Sequence, residues 1–205
     1  MDEAWQKKVR YSASKLKEIL TKKFRDIFKQ QCSLDIYNDN KKDASGNKLR
    51  TYRKFKSDLT LEPYLSFMKK QHVRQSFSRL RISAHNLLIE TGRHHRPRPI
   101  PVKDRVCDLC DTNAVQDEFH IIMECDKFQE ERHNLISKIT EIFPDLANQP
   151  DNTKFVFIMQ CQDSDLAFHV EKFLNGIINS RGHFWTHHTP YTLCTEPIVF
   201  QRYSV

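Results

Sequence analysis

The chain has 205 residues, 39% of them hydrophobic, which is enough for one good core or two small ones, and only four Gly, which nearly excludes glycine-rich phosphate-binding loops. No apolar run approaches the roughly 20 residues that span a membrane, and the segment Met1 to Lys8 lacks the apolar core of a secretory signal. The net charge of +7 conceals two opposite halves: residues 1–105 carry 26 Lys/Arg against 11 Asp/Glu, a net of +15, and residues 106–205 carry 7 against 15, a net of −8.

A basic half of that size points to a polyanion partner, most often nucleic acid. The competing reading is that the two halves dock on each other. Six cysteines are present, and three of them, Cys32, Cys161 and Cys194, are scattered singly, which argues for free thiols in a reducing compartment, nuclear or cytoplasmic.

In chain order, residues 4–31 predict one basic amphipathic helix. Trp5, Val9, Leu16, Ile19, Leu20, Ile27 and Phe28 recur mostly at three- and four-residue spacing and line one apolar face. The first unit therefore runs over 1–37, followed by a polar linker at 38–47 rich in turn residues. In the segment Lys48 to Lys56, the bases Lys48, Arg50 and Arg53 alternate with Leu49, Tyr52 and Phe55. That pattern suits a single-stranded nucleic acid, with cations for phosphate and rings for stacking, and it equally describes a short helix docked on a core. Pro63 marks a helix start.

Gln71 to Glu90 predicts a second strong helix with Val73, Phe77, Leu80, Ala84, Leu87 and Leu88 inward, Arg79 and Arg81 off that stripe, and Gly92 as its stop. The following segment, Arg93 to Val102, holds three prolines and is expected to be extended. With Arg93, Arg96, Arg98, Lys103 and Arg105 it forms a basic arm suited to tracking a phosphate backbone, the alternative being a solvated linker. The basic region closes at residue 105.

The arm runs into Cys107-Asp-Leu-Cys110, with His120 and Cys125 completing the pattern C-x2-C-x9-H-x4-C. A C-x2-C turn sets two sulfurs on one ion, and a Cys and a His from a second element close a tetrahedral shell of the kind structural zinc takes. Three thiolates and an imidazole also favour Zn²⁺ over hard ions. A closed shell leaves no position for substrate, so one structural zinc is expected and no catalysis. Asp117 and Glu118 are candidate partners for His120 or Arg105. His94 and His95 are read as solvent-facing, and His133 as a bystander.

The zinc knuckle and its following helix occupy 106–143, with Asp126 as the N-cap, Phe128, Leu135, Ile139 and Ile142 inward, and Pro144 as the stop. Residues 155–159 are an apolar run too short to classify. Asp163 is expected to cap a helix through Ile178, burying Leu166, Val170, Phe173, Leu174, Ile177 and Ile178, within a C-terminal helical segment at 153–180. The stretch 181–205 is expected to be a disordered tail, in which His183, His187 and Cys194 are a weak second metal set. The fold class expected is mainly α, with helical segments around a small zinc knuckle.

The quoted motifs, together with Glu62-Pro-Tyr-Leu65 and Arg79-Leu-Arg-Ile-Ser-Ala-His85, resemble the carboxy-terminal zinc-binding region of non-LTR (LINE-type) retrotransposon reverse-transcriptase proteins over about residues 15–180. The resemblance implies RNA or DNA binding, with Cys107, Cys110, His120 and Cys125 as zinc ligands, and a possible reverse-transcriptase or ribonucleoprotein partner in trans. The chain departs from that family in four ways. It starts after the polymerase would end, it has no adjacent Asp-Asp pair for two-metal phosphoryl transfer, no acid-x-Lys triplet follows Pro144-Asp145, and the tail from Gly182 onward does not look like the family. The expectation is a non-catalytic element fragment. The alternative is a zinc-nucleated protein-interaction module presenting its acidic helices, or a fragment without function.

Overall fold

The computed structural model describes residues 12–37, 47–56 and 60–180. Among them the fold is mainly helical, and apart from one antiparallel bridge between Val106 and Val115 no β-structure occurs. The α-helices are α1 (Ala13–Tyr37), α2 (Tyr64–Phe67), α3 (Gln71–Arg81), α4 (Leu88–Thr91), α5 (Gln129–Ile142), α6 (Asp151–Gln160) and α7 (Ser164–Ser180). Trp5 and Val9, most of the 38–47 linker and the 181–205 tail with His183, His187 and Cys194 lie outside the described residues.

The core is organised on α7. Asp163 accepts hydrogen bonds from the backbone N–H groups of Asp165 (2.8 Å) and Leu166 (3.1 Å), capping the helix as its sequence predicts. Leu166, Val170, Phe173, Leu174 and Ile177 are buried, with Ile178 partly so. Helices α2, α3 and α5 pack on this face. The unclassified run 155–159 is helix α6, which buries Phe155, Ile158 and Met159 and ends on Cys161 in the left-handed region (φ 49°). Helix α5 begins at Gln129 after a 3-10 turn at Asp126–Phe128, so Asp126 stands in the lead-in turn and is not its N-cap. Phe128, Leu135 and Ile139 point inward as expected, whereas Ile142 is exposed.

Two helix expectations are corrected. The predicted helix from Gln71 to Glu90 is two helices, α3 and α4. Between them Ser83 turns left-handed (φ 53°), which aims Ser83 and His85 at a carboxylate from far along the chain. Tertiary hydrogen bonds outweigh the continuous apolar period there. Helix α1 is also longer at its C-terminal end than predicted, and Leu16, Leu20, Ile27 and Phe28 of its apolar face are exposed.

Candidate metal centre

The C-x2-C turn folds back through a short backbone ladder. The N–H of Cys107 donates to Ala114 O and that of Gln116 to Arg105 O, both at 2.8 Å. His120 comes from a single π-helical turn, His120–Glu124, whose N-terminus is held by Asp117 Oδ1 accepting the His120 backbone N–H at 2.8 Å. Wider i+5 pairing brings the Cys125 N–H onto His120 O at 2.7 Å, which turns Cys125 back toward the imidazole. Ile122 and Met123 of this segment are buried in the core, and Phe119 packs on it with its ring edge-to-face against Phe155.

The four ligand atoms, one each from Cys107, Cys110, His120 and Cys125, all lie within 4.8 Å of one another. Cys107 Sγ and Cys125 Sγ are 4.0 Å apart, and Cys110 Sγ lies 3.3 Å from His120 Nε2. A tetrahedron with metal–sulfur bonds of about 2.3 Å has edges of about 3.8 Å, so these separations suit a single ion at the centre. The cluster is close enough to bind a metal ion.

The surrounding groups fit the same task. His120 presents Nε2 to the sulfurs while Nδ1 faces Glu124 Oε2 at 3.3 Å, the carboxylate–histidine arrangement that orients a ligating imidazole. Gln116 Nε2 donates to Cys107 Sγ at 3.7 Å and to Asp108 Oδ1 at 2.6 Å. Without an ion, burial pushes the Cys125 thiol up to about 12 and raises Cys107. Burial also acts to raise Cys110, but the Thr112 hydroxyl and N–H and the His120 ring outweigh it and hold that thiol down at about 6. An arriving cation therefore meets one ready thiolate and two thiols that must release protons.

Glu118 serves segments that come before it in the chain. It is buried and gathers the preceding segments: Arg50 (3.0 Å), Thr51 Oγ1 (3.1 Å), Ser83 Oγ (2.7 Å) and His85 Nε2 (2.8 Å) all donate to it. Burial alone would raise its carboxyl, yet His85, Arg50 and Ser83 bring it down to about 2. Arg50 also pairs with Glu90, which in turn pairs with Arg93.

These contacts reassign several residues expected on a nucleic-acid face. Arg105 is buried, donating from Nη1 to Ile89 O (2.7 Å) and from Nε to Ile100 O (2.9 Å). Arg81 is buried between the Phe55 and Tyr64 rings, at 4.7 and 4.6 Å from their centroids, and pairs with Glu62 at 2.8 Å. Arg50 and Arg93 are engaged by Glu118 and Glu90, and Tyr52 donates its hydroxyl to Glu62 at 3.1 Å and packs on the core. Charge and aromatic spacing are the same for a buried ion pair as for a phosphate contact, so the sequence pattern cannot separate them.

Arg96, Arg98, Lys103 and Lys48 are exposed, Arg53 and Arg79 partly so. His94, His95 and His133 are exposed as read. The arm from Arg93 is a loop closed at its base, where the Ile100 N–H donates to Gly92 O at 2.9 Å and the Arg105 side chain spans Ile89 and Ile100. The tip carries Arg96 and Arg98. Sequence reasoning missed Gln116, Glu124 and the Ser83–His85–Glu118 cluster. Only Glu124 had a local signal, lying one helical turn after His120.

Compared with known protein families, curated proteins and solved structures, the chain matches none of them.

Proposed function

We propose that the chain is a non-catalytic nucleic-acid-binding module stabilised by one structural Zn²⁺ on Cys107, Cys110, His120 and Cys125. Three sulfurs and one nitrogen at tetrahedral separations are the donor set zinc prefers. Four protein ligands would complete the shell, so the metal holds the C-x2-C turn against the His120–Glu124 turn and offers no position to a substrate. The resemblance to the zinc-binding region of LINE-type retrotransposon proteins points the same way.

The observation that carries the binding reading is the exposed loop beside this cluster. Arg96, Arg98 and Lys103 face solvent on a segment pinned by the buried Arg105 only two residues before Cys107. Mobile basic tails pay an ordering cost on binding; a loop closed at its base has already lost much of that freedom. RNA or single-stranded DNA is the partner this loop suits, through phosphate contact without base reading.

Fluorescence anisotropy of a labelled single-stranded RNA, titrated across a salt series, tests the reading. Binding should weaken steeply with salt. Replacing Arg96, Arg98 and Lys103 together by Glu should reduce the log–log salt slope by about 2, since each single-strand phosphate contact contributes about 0.7. No binding at low salt, or an unchanged slope in the triple variant, overturns the proposal.

A further inference from the structure

Helix α1 leaves its apolar stripe uncovered. Leu16 (48%), Leu20 (45%), Phe24 (69%), Ile27 (62%), Phe28 (64%) and Leu34 (53%) are exposed along one face of a 25-residue helix. The helix is attached to the rest of the protein by its other side. Ile36, which is buried, lies about 160° around the helix from Leu20 at 3.6 residues per turn, and the Asn47 side chain donates to Ile36 O at 3.0 Å. An isolated helix is marginal in water without a packed face.

We propose that this stripe pairs antiparallel with the α1 of a second copy of the chain. Three observations favour that occupant. The first is register. The stripe runs through positions 13, 16, 20, 24, 27, 31 and 34, steps of three and four that read almost the same in reverse. Antiparallel pairing then sets Leu16 against Leu34, Leu20 against Gln31 and Phe24 against Ile27.

The second is area. The six exposed side chains offer roughly 600–700 Å² per copy, near the ~800 Å² per partner of a standard stable interface.

The third is charge. Of the bases on α1, Lys15, Lys22, Arg25 and Lys29 lie on the far face, so any partner covering the stripe meets only Lys17 and Lys23, one on each flank. An anionic surface would thus gain little from this helix. Antiparallel pairing brings Lys23 to the partner edge that carries Asp26 and Gln30 together with the partner's own Lys23.

Sedimentation equilibrium of the full chain, nuclease-treated and in high salt so that nucleic acid cannot bridge copies, should give twice the chain mass. The double variant Phe24→Glu, Ile27→Glu should weaken the dimer by about a hundredfold or more, because it buries charge at the centre of the seam. Its metal content and α7 packing should be unchanged, since neither residue touches the core. In a Cys32→Ser background, oxidising a mixture of Leu16→Cys and Leu34→Cys chains should yield a disulfide between the two variants, and Leu16→Cys alone should not join to itself. A monomer at every concentration, a dimer unaffected by the glutamates, or self-joining of Leu16→Cys overturns the proposal.

Discussion

His85 Nε2 donates to Glu118 Oε1 at 2.8 Å inside the protein, tying the turn after α3 to the residue two before the metal-cluster histidine. The same imidazole accepts the Leu87 N–H on Nδ1 at 3.3 Å, so the contact fixes one tautomer and the break between α3 and α4 together. Glu118 thereby couples residues 50–51 and 83–85 in one network, two positions before His120.

Removing that carboxylate should be costly. Glu118→Ala leaves the Arg50 charge and the Thr51, Ser83 and His85 donors without their acceptor, and loss of one partner of a buried pair costs about 3–5 kcal/mol. Ser83→Ala removes one donor and should cost only about 1 kcal/mol. Urea unfolding of the two variants at saturating zinc measures both, and equal small losses would contradict the assignment.

Gly92 is required for space. Its backbone lies in the ordinary right-handed helical region, but a Cβ there would meet Arg105 Cδ and Nε at 2.9 Å. Arg105 is buried and held to two carbonyls, so it cannot swing aside freely. Gly92→Ala should therefore destabilise by about 1–3 kcal/mol, as overpacking does, where helix propensity alone would stabilise. The sign of the change in denaturation midpoint decides between them.

Metal removal should loosen a defined region. With Cys107 and Cys125 buried in one cluster with Cys110 and His120, chelation should expose amides of residues 105–125 to hydrogen exchange while α7 stays protected. Purified protein should contain one zinc per chain, and Cys125→Ser should lose it. Mass spectrometry of exchange and elemental analysis check the two outcomes.

Tyr52 should titrate late. Burial, with the Glu62 carboxylate beside it, pushes its phenol up to about 12, so the folded protein holds this proton more tightly than the unfolded chain does. The resulting stability is present below the ordinary phenol value near 10 and is lost as pH rises through about 12. Comparing the alkaline unfolding of the native chain with Tyr52→Phe isolates this effect. Absorbance titration giving an ordinary phenol would show that Tyr52 is free of the Glu62 contact.

Much of this protein is written locally. The cysteine and histidine spacings state which four side chains can share an ion, because a short turn and one helical turn leave little choice of geometry. Asp163 with its downstream apolar period states where α7 begins and which face it buries. Both depend on neighbours within a few residues.

What local sequence left open was settled by partners far along the chain. Arg50, Arg81 and Arg105 look like Arg96 and Arg98 in sequence, yet the first three are engaged by carboxylates, aromatic rings and carbonyls, while the last two are exposed. The break at Ser83 contradicts a continuous helical period because Glu118, 35 residues away, offers hydrogen bonds that an unbroken helix would forfeit. The α1 stripe has a core-like period, yet among the described residues it stays exposed. Periodicity reports which face of an element is apolar; whether a charge is paired or an apolar face is covered depends on what the rest of the fold brings against it.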